Sequence, residues 1–134
     1  MTRFVLDAAT LVHLARNDLE PNAAHQLLGP GALRSHALEL LLREVNAGTL
    51  DNREALLLHE RITGIKLRLL NDRVSRRTAW DLAREFGWPD LTDAEYLAVT
   101  RLQADALIAT DPTLRARAKG VVPLARIDAL FVGH

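Results

Sequence analysis

The sequence predicts an α/β protein, and two observations carry that expectation. Hydrophobic periods of two and of 3.6 alternate along the chain, as they do where strands are followed by helices. The first such junction, Phe4-Val5-Leu6-Asp7 running into Ala8-Ala9-Thr10-Leu11-Val12, also sets a carboxylate at the carboxyl end of a buried strand, where open α/β sheets keep their active sites.

Taken in order, residues 3–6 read as a fully buried strand and 10–16 as the helix after it. A short helix is expected over 22–28, stopped by Gly29-Pro30-Gly31, and a weak second strand over 32–35. Residues 37–47 carry Leu38, Leu41, Leu42 and Val45 at helical spacing, with Gly48 just past the end. Asp51 and Glu54 open a further helix through a capping-box-like spacing. Residues 65–70 alternate as a half-buried strand. Residues 72–86 are helical on Ala79, Leu82, Ala83 and Phe86, and Gly87-Trp88-Pro89 ends that helix. Thr92 and Glu95 cap a helix over 92–103, 106–109 form a third buried strand, 112–119 a helix closed by Gly120, and 121–124 a last short strand.

With 134 residues, 49% of them hydrophobic and 25% charged, and no linker or repeat, the chain reads as a single domain over 1–134. The absence of cysteine excludes disulfides, thiolate catalysis and cysteine-based zinc sites. Neither a secretory leader nor a membrane span is expected, so the predicted compartment is the cytoplasm. The formal net charge is zero, which removes a global basic field, although clustering of the acids in one site would leave arginine-rich patches elsewhere. The five histidines show no metal-type pairing, and Trp80, Trp88 and Tyr96 are expected in the core, too scattered to form a stacking platform.

Four acids sit at or near element junctions: Asp7, Glu44, Asp93 and Asp111. Each has a structural explanation when taken singly. Asp7 and Asp111, the latter before Pro112, suit helix N-caps. Glu44, late in its helix where the macrodipole disfavours a negative charge, suits a boundary residue paired with an arginine. Asp93 is harder to explain, because Thr92 and Glu95 satisfy the cap and leave its carboxylate unused. Convergence of the four would need a cation among them, and hard divalent ions take oxygen ligands from several elements. On that reading, removing one of the acids raises stability in the absence of metal.

These residues also carry a resemblance. Phe4-Val5-Leu6-Asp7, Leu42-Arg43-Glu44-Val45-Asn46, the segment from Leu91 to Ala98 containing Asp93-Ala94-Glu95-Tyr96, and Ala106 to Asp111 together resemble a PIN domain, most closely the VapC-type ribonuclease toxins of bacterial toxin–antitoxin pairs. The resemblance spans essentially the whole chain. It implies a three-layer α/β/α fold around a mainly parallel sheet of four to five strands. It implies a metal-dependent endoribonuclease with Asp7, Glu44, Asp93 and Asp111 as catalytic and metal-binding residues, Mg2+ or Mn2+ as the cofactor, RNA as substrate, a cognate antitoxin as partner, and a homodimer. The sequence departs from the family where a Ser or Thr is common two residues after the first Asp and a Thr two before the last. Ala9 and Ala109 stand there, with Thr10 and Thr110 one residue further on. The alternative is a PIN-fold module that binds RNA or protein with weak or absent nuclease activity. A receiver-type phosphoacceptor domain lacks its acidic pair and its late lysine here.

Overall fold

The computed structural model describes residues 1–133; His134 lies outside the described residues. The described residues form four strands and six helices in the order β1 (Arg3–Leu6), α1 (Ala8–Arg16), β2 (Gln26–Pro30), α2 (Leu33–Ala47), α3 (Asn52–Thr63), β3 (Arg68–Leu70), α4 (Arg73–Phe86), α5 (Thr92–Gln103), β4 (Ala106–Ile108) and α6 (Pro112–Ala118), followed by a 3-10 helix at Ile127–Phe131. The sheet order is β3-β2-β1-β4 and every pairing is parallel. Parallel strands need crossover helices, which cover the faces and bury the strands. Val5, Leu6, Leu28, Leu107 and Ile108 are accordingly buried. Helices α1, α2 and α3 pack on one another, while α4 packs on α5 and α5 lies on β1, β2 and β4. This is the three-layer α/β/α architecture, with four strands in the sheet.

Two expected elements exchange identity. Residues 22–28 do not form a helix, because 26–30 form β2, paired with β1 through Phe4 and Leu27. Gly29 and Pro30, read as turn residues, belong to the strand: a Cβ on Gly29 would lie 2.5 Å from Leu33 Cδ2, so glycine admits the helix that packs there. Residues 32–35 are not a strand but the opening of α2, whose fully buried Leu33, Ala37 and Leu41 recur every four residues. The strand expected over 65–70 shortens to β3. That expected over 121–124 reduces to a single parallel bridge between Leu107 and Leu124.

The termini of the helices follow their caps. Asp7, Asp51, Asp72 and Asp111 accept the third backbone N–H of α1, α3, α4 and α6, and Gly48 and Gly87 take the left-handed conformation that closes α2 and α4. The capping box expected at α5 is absent: Leu91 holds the N-cap position without a side-chain bond, and Asp90 accepts from the Thr92 N–H at 3.2 Å. Trp80 does not enter the core, remaining 54% exposed. In the apolar tail Leu130 is buried, whereas Val132 is exposed. No helix among the described residues is long and apolar enough to cross a membrane.

Candidate active site at the carboxyl edge of the sheet

The strand order reverses direction at β1. The chain moves from β1 outward through β2 and β3, then returns to the other side of β1 as β4. Such a switch point opens a crevice beyond the carboxyl ends of the two strands involved. Asp7 follows β1 and Asp111 follows β4 after Ala109 and Thr110, so both carboxylates arise at this crevice.

Asp7 is only 2% exposed, and its two oxygens do different work. Oδ1 accepts from the Thr10 N–H at 2.9 Å and from the Thr10 hydroxyl at 2.5 Å, which fixes the first turn of α1. Oδ2 accepts the Asp111 N–H at 3.0 Å and ties that turn to the end of β4. The Thr10 hydroxyl also lies 3.3 Å from the Ile108 carbonyl and 3.3 Å from the Thr110 hydroxyl. The hydroxyl that Ala9 lacks is thus supplied to Asp7 by Thr10, because the first helical turn returns residue 10 to the capping carboxylate. Asp111 caps α6 through Oδ2 and the Leu114 N–H at 2.9 Å, with Pro112 at the first helical position.

Asp93 enters from the first turn of α5. Arg117 of α6 donates to its Oδ2 at 2.9 Å, the two side chains being 29% and 19% exposed respectively. Burial pushes the Asp93 carboxyl above its ordinary value of 3.8, Arg117 opposes that rise, and the charges of Asp111 and Asp90 add to it. The Arg117 guanidinium lies 4.9 Å from the centroid of the Trp88 ring, and Trp88 stacks on Phe86 at 5.2 Å. Asp93 is therefore not an idle first-turn carboxylate. It already holds a cation from its own chain, on an aromatic platform.

Two further side chains lie near these acids. Tyr96, one turn after Asp93, is 3% exposed, and its hydroxyl lies 3.0 Å from Nδ1 of His36 on α2. Burial drives the Tyr96 phenol well above its usual range, and the charges of Asp7, Asp93 and Glu95 push it the same way, so it stays protonated. This shared influence puts the phenol within electrostatic reach of both aspartates. Spacing alone could have suggested Tyr96, since residues three apart share a helix face. His36 and Arg117 carried no comparable signal, because neither sits in a motif.

Glu44 does not belong to this group. It lies in the last turns of α2, 32% exposed, in a 2.6 Å ion pair with Arg16. Arg16 ends α1 nine residues after Asp7, about 13 Å along the helix axis. Glu44 in turn lies about 16 Å beyond the start of α2. Both helices leave the carboxyl edge of a parallel sheet, so both carry this pair away from it, and the boundary-residue explanation of Glu44 is the one realised. Among the described residues no group of three or more His, Asp or Glu side chains is drawn together as a ligand set. Of the four expected acids, Asp111 is bonded to Asp7 and its charge reaches Asp93, whereas Glu44 is paired with Arg16.

No protein family matches the chain, and no curated protein does either. Among solved structures, the chain is similar to that of PAE2754 from Pyrobaculum aerophilum, with a TM-score of 0.71 and 22% sequence identity over 96% of this chain and 93% of that one. At that identity the likeness shows the shared fold alone.

Proposed function

We propose that this chain is a PIN-type endoribonuclease dependent on Mg2+ or Mn2+, working through Asp7, Asp93 and Asp111 as the toxin of a toxin–antitoxin pair. The observation that carries the reading is the bond from the Asp111 N–H to Asp7 Oδ2 across the switch point, with Asp93 facing the same crevice from α5. Asp7, Asp93 and Asp111 come from three separate elements, and the charge of Asp111 acts on Asp93, which hydrogen bonding of the helix ends alone would not require.

On this reading the donor set is smaller than the four carboxylates the sequence suggested. Mg2+ keeps several waters and typically needs only one or two carboxylates. Asp93 and Asp111 each retain an oxygen with no hydrogen bond from a described residue, and these two would hold the ion. When bound, such an ion lowers the pKa of a coordinated water and stabilises charge on a phosphodiester oxygen. Asp7, immobilised by three hydrogen bonds, sets the position of the Asp111 backbone. On this reading the Tyr96 hydroxyl and His36, paired at 3.0 Å, would supply hydrogen bonds to a phosphate or the attacking water. Arg115, whose Nη1 donates to the Ala109 carbonyl at 3.3 Å, adds positive charge beside Asp111. On this reading the partners are RNA and an antitoxin protein, the assembly a homodimer and the compartment the cytoplasm.

A second reading has its own support. The Asp93–Arg117 ion pair and the outlying Glu44 favour a PIN-type module that binds RNA or protein without cutting it. Incubating labelled RNA with the purified protein, in EDTA and in millimolar Mn2+, separates the two. The nuclease reading expects cleavage only with Mn2+, abolished in Asp93→Asn and Asp111→Asn, together with growth arrest on expression of the wild type. RNA retained intact in Mn2+ by the folded wild type decides for the binding module.

A further inference from the structure

The outer face of α4 carries a stripe that the acidic crevice does not use. At 100° per residue, Arg73, Arg76, Arg77, Trp80 and Arg84 fall within an arc of about 100°. All five are exposed, while Ser75, Ala79, Leu82 and Ala83 turn the opposite face into the core. Arg76 donates to the Asn71 carbonyl at 2.6 Å and Arg77 pairs with Asp81 at 3.3 Å, whereas Arg73 and Arg84 have no hydrogen bond or ion pair among the described residues. The chain as a whole has no net charge, so this concentration of guanidinium groups is local.

We infer that this stripe is a docking track for single-stranded RNA, its arginines on phosphates and Trp80 stacked on a base. The RNA identity of the strand rests on the ribonuclease reading; the single-stranded class rests on the stripe. Guanidinium forks match phosphate oxygens in a planar, bidentate geometry. A protein partner would have to desolvate four like charges, whereas a polyanion neutralises them and releases its counterions. An exposed indole at 54% accessibility contributes little to the core, and its flat face is what an unpaired base requires. A duplex keeps its bases stacked on each other and offers Trp80 none. Arg73 and Arg84 are separated by about 17 Å along the axis, enough for several nucleotides. The carboxyl end of α4 leads to Phe86, on which Trp88 stacks, and Trp88 carries the Arg117 that holds Asp93.

Fluorescence anisotropy in EDTA, with a labelled single-stranded RNA of mixed sequence and its duplex, tests this without cleavage. The triple variant Arg73→Gln, Arg77→Gln, Arg84→Gln removes three phosphate contacts, so the salt slope of log K for the single strand falls by about 2. Trp80→Ala weakens single-strand binding about 5- to 150-fold and leaves duplex binding unchanged, while Trp80→Phe retains most of the affinity. Circular dichroism checks that these exposed substitutions leave the fold intact. An unchanged salt slope in the triple variant, wild-type single-strand affinity in Trp80→Ala, or a polyglutamate peptide that competes as well as RNA overturns the inference. Stripe-dependent binding with no cleavage in Mn2+ upholds the track for a single strand and removes the ribonuclease reading instead.

Discussion

Replacing Asp7 by Asn tests whether this carboxylate is a structural tie as well as a site residue. Asn caps a helix about as well as Asp, so its amide oxygen can keep the bonds from the Thr10 N–H and hydroxyl. The other oxygen becomes an NH2 that faces the Asp111 N–H, donor against donor, at a position 2% exposed. A buried N–H left without an acceptor costs about 1–3 kcal/mol, and loss of the charge at the start of α1 about 0.3–1 kcal/mol more. The expected loss is therefore about 2 kcal/mol, near 8 °C in Tm for a chain of this size. Asp111→Asn is the matched control. It keeps its own cap on Leu114 and its N–H still meets Asp7 Oδ2, so its stability should change by under about 0.5 kcal/mol. Urea unfolding followed by circular dichroism at neutral pH without divalent ions measures both. Wild-type or greater stability in Asp7→Asn, or equal losses in the two variants, would refute the argument. This reverses for Asp7 the expectation that shedding one of several acids stabilises the fold, because the carboxylate is saturated with donors.

Glu44→Ala should leave Mn2+-dependent cleavage at the wild-type rate and cost no more than about 1 kcal/mol, since an exposed ion pair contributes little; a collapse of activity in a folded variant would return Glu44 to the site. Arg117→Gln removes both the ion pair to Asp93 and the cation over Trp88, with an expected loss of about 1–2 kcal/mol. It should also tighten Mn2+ binding, read by titration calorimetry, because the metal no longer competes with a resident cation; unchanged or weaker binding counts against that competition. Because the folded state raises the Asp93 carboxyl above 3.8, it holds that proton more tightly than the unfolded chain does. The resulting stability is full below the unfolded value and is lost as pH rises through the folded one. Asp93→Asn should flatten this decline as pH rises above 3.8, and urea midpoints that fall as steeply as in the wild type would sink the assignment.

The sequence was most legible where local chemistry and tertiary packing agree. Phe4-Val5-Leu6-Asp7 reads as strand, then cap, then helix because three consecutive apolar residues and an N-capping acid each point to the same backbone. Asp111 before Pro112 is equally local. Local chemistry and packing disagree at Gly29-Pro30-Gly31, where turn-forming residues end a buried strand because Leu33 needs the space a side chain on Gly29 would take. The stripe Leu33, Ala37, Leu41 carries the helical signal there, since it extends the period of four residues back to the start of α2.

By itself, then, the sequence determined an α/β chain and the two acids at its strand ends, because backbone propensity and capping act within a few residues of their cause. Which acids meet was decided only by the tertiary structure. Parallel strands bring the ends of β1 and β4 side by side and make Asp7 and Asp111 partners across 104 residues. The direction of α1 and α2 away from that edge takes Glu44 to Arg16. Folding α6 over α5 gives Asp93 its cation from Arg117, and the approach of α2 gives Tyr96 its histidine. These contacts follow from strand order and helix direction, properties of the assembled sheet that no short stretch of sequence contains.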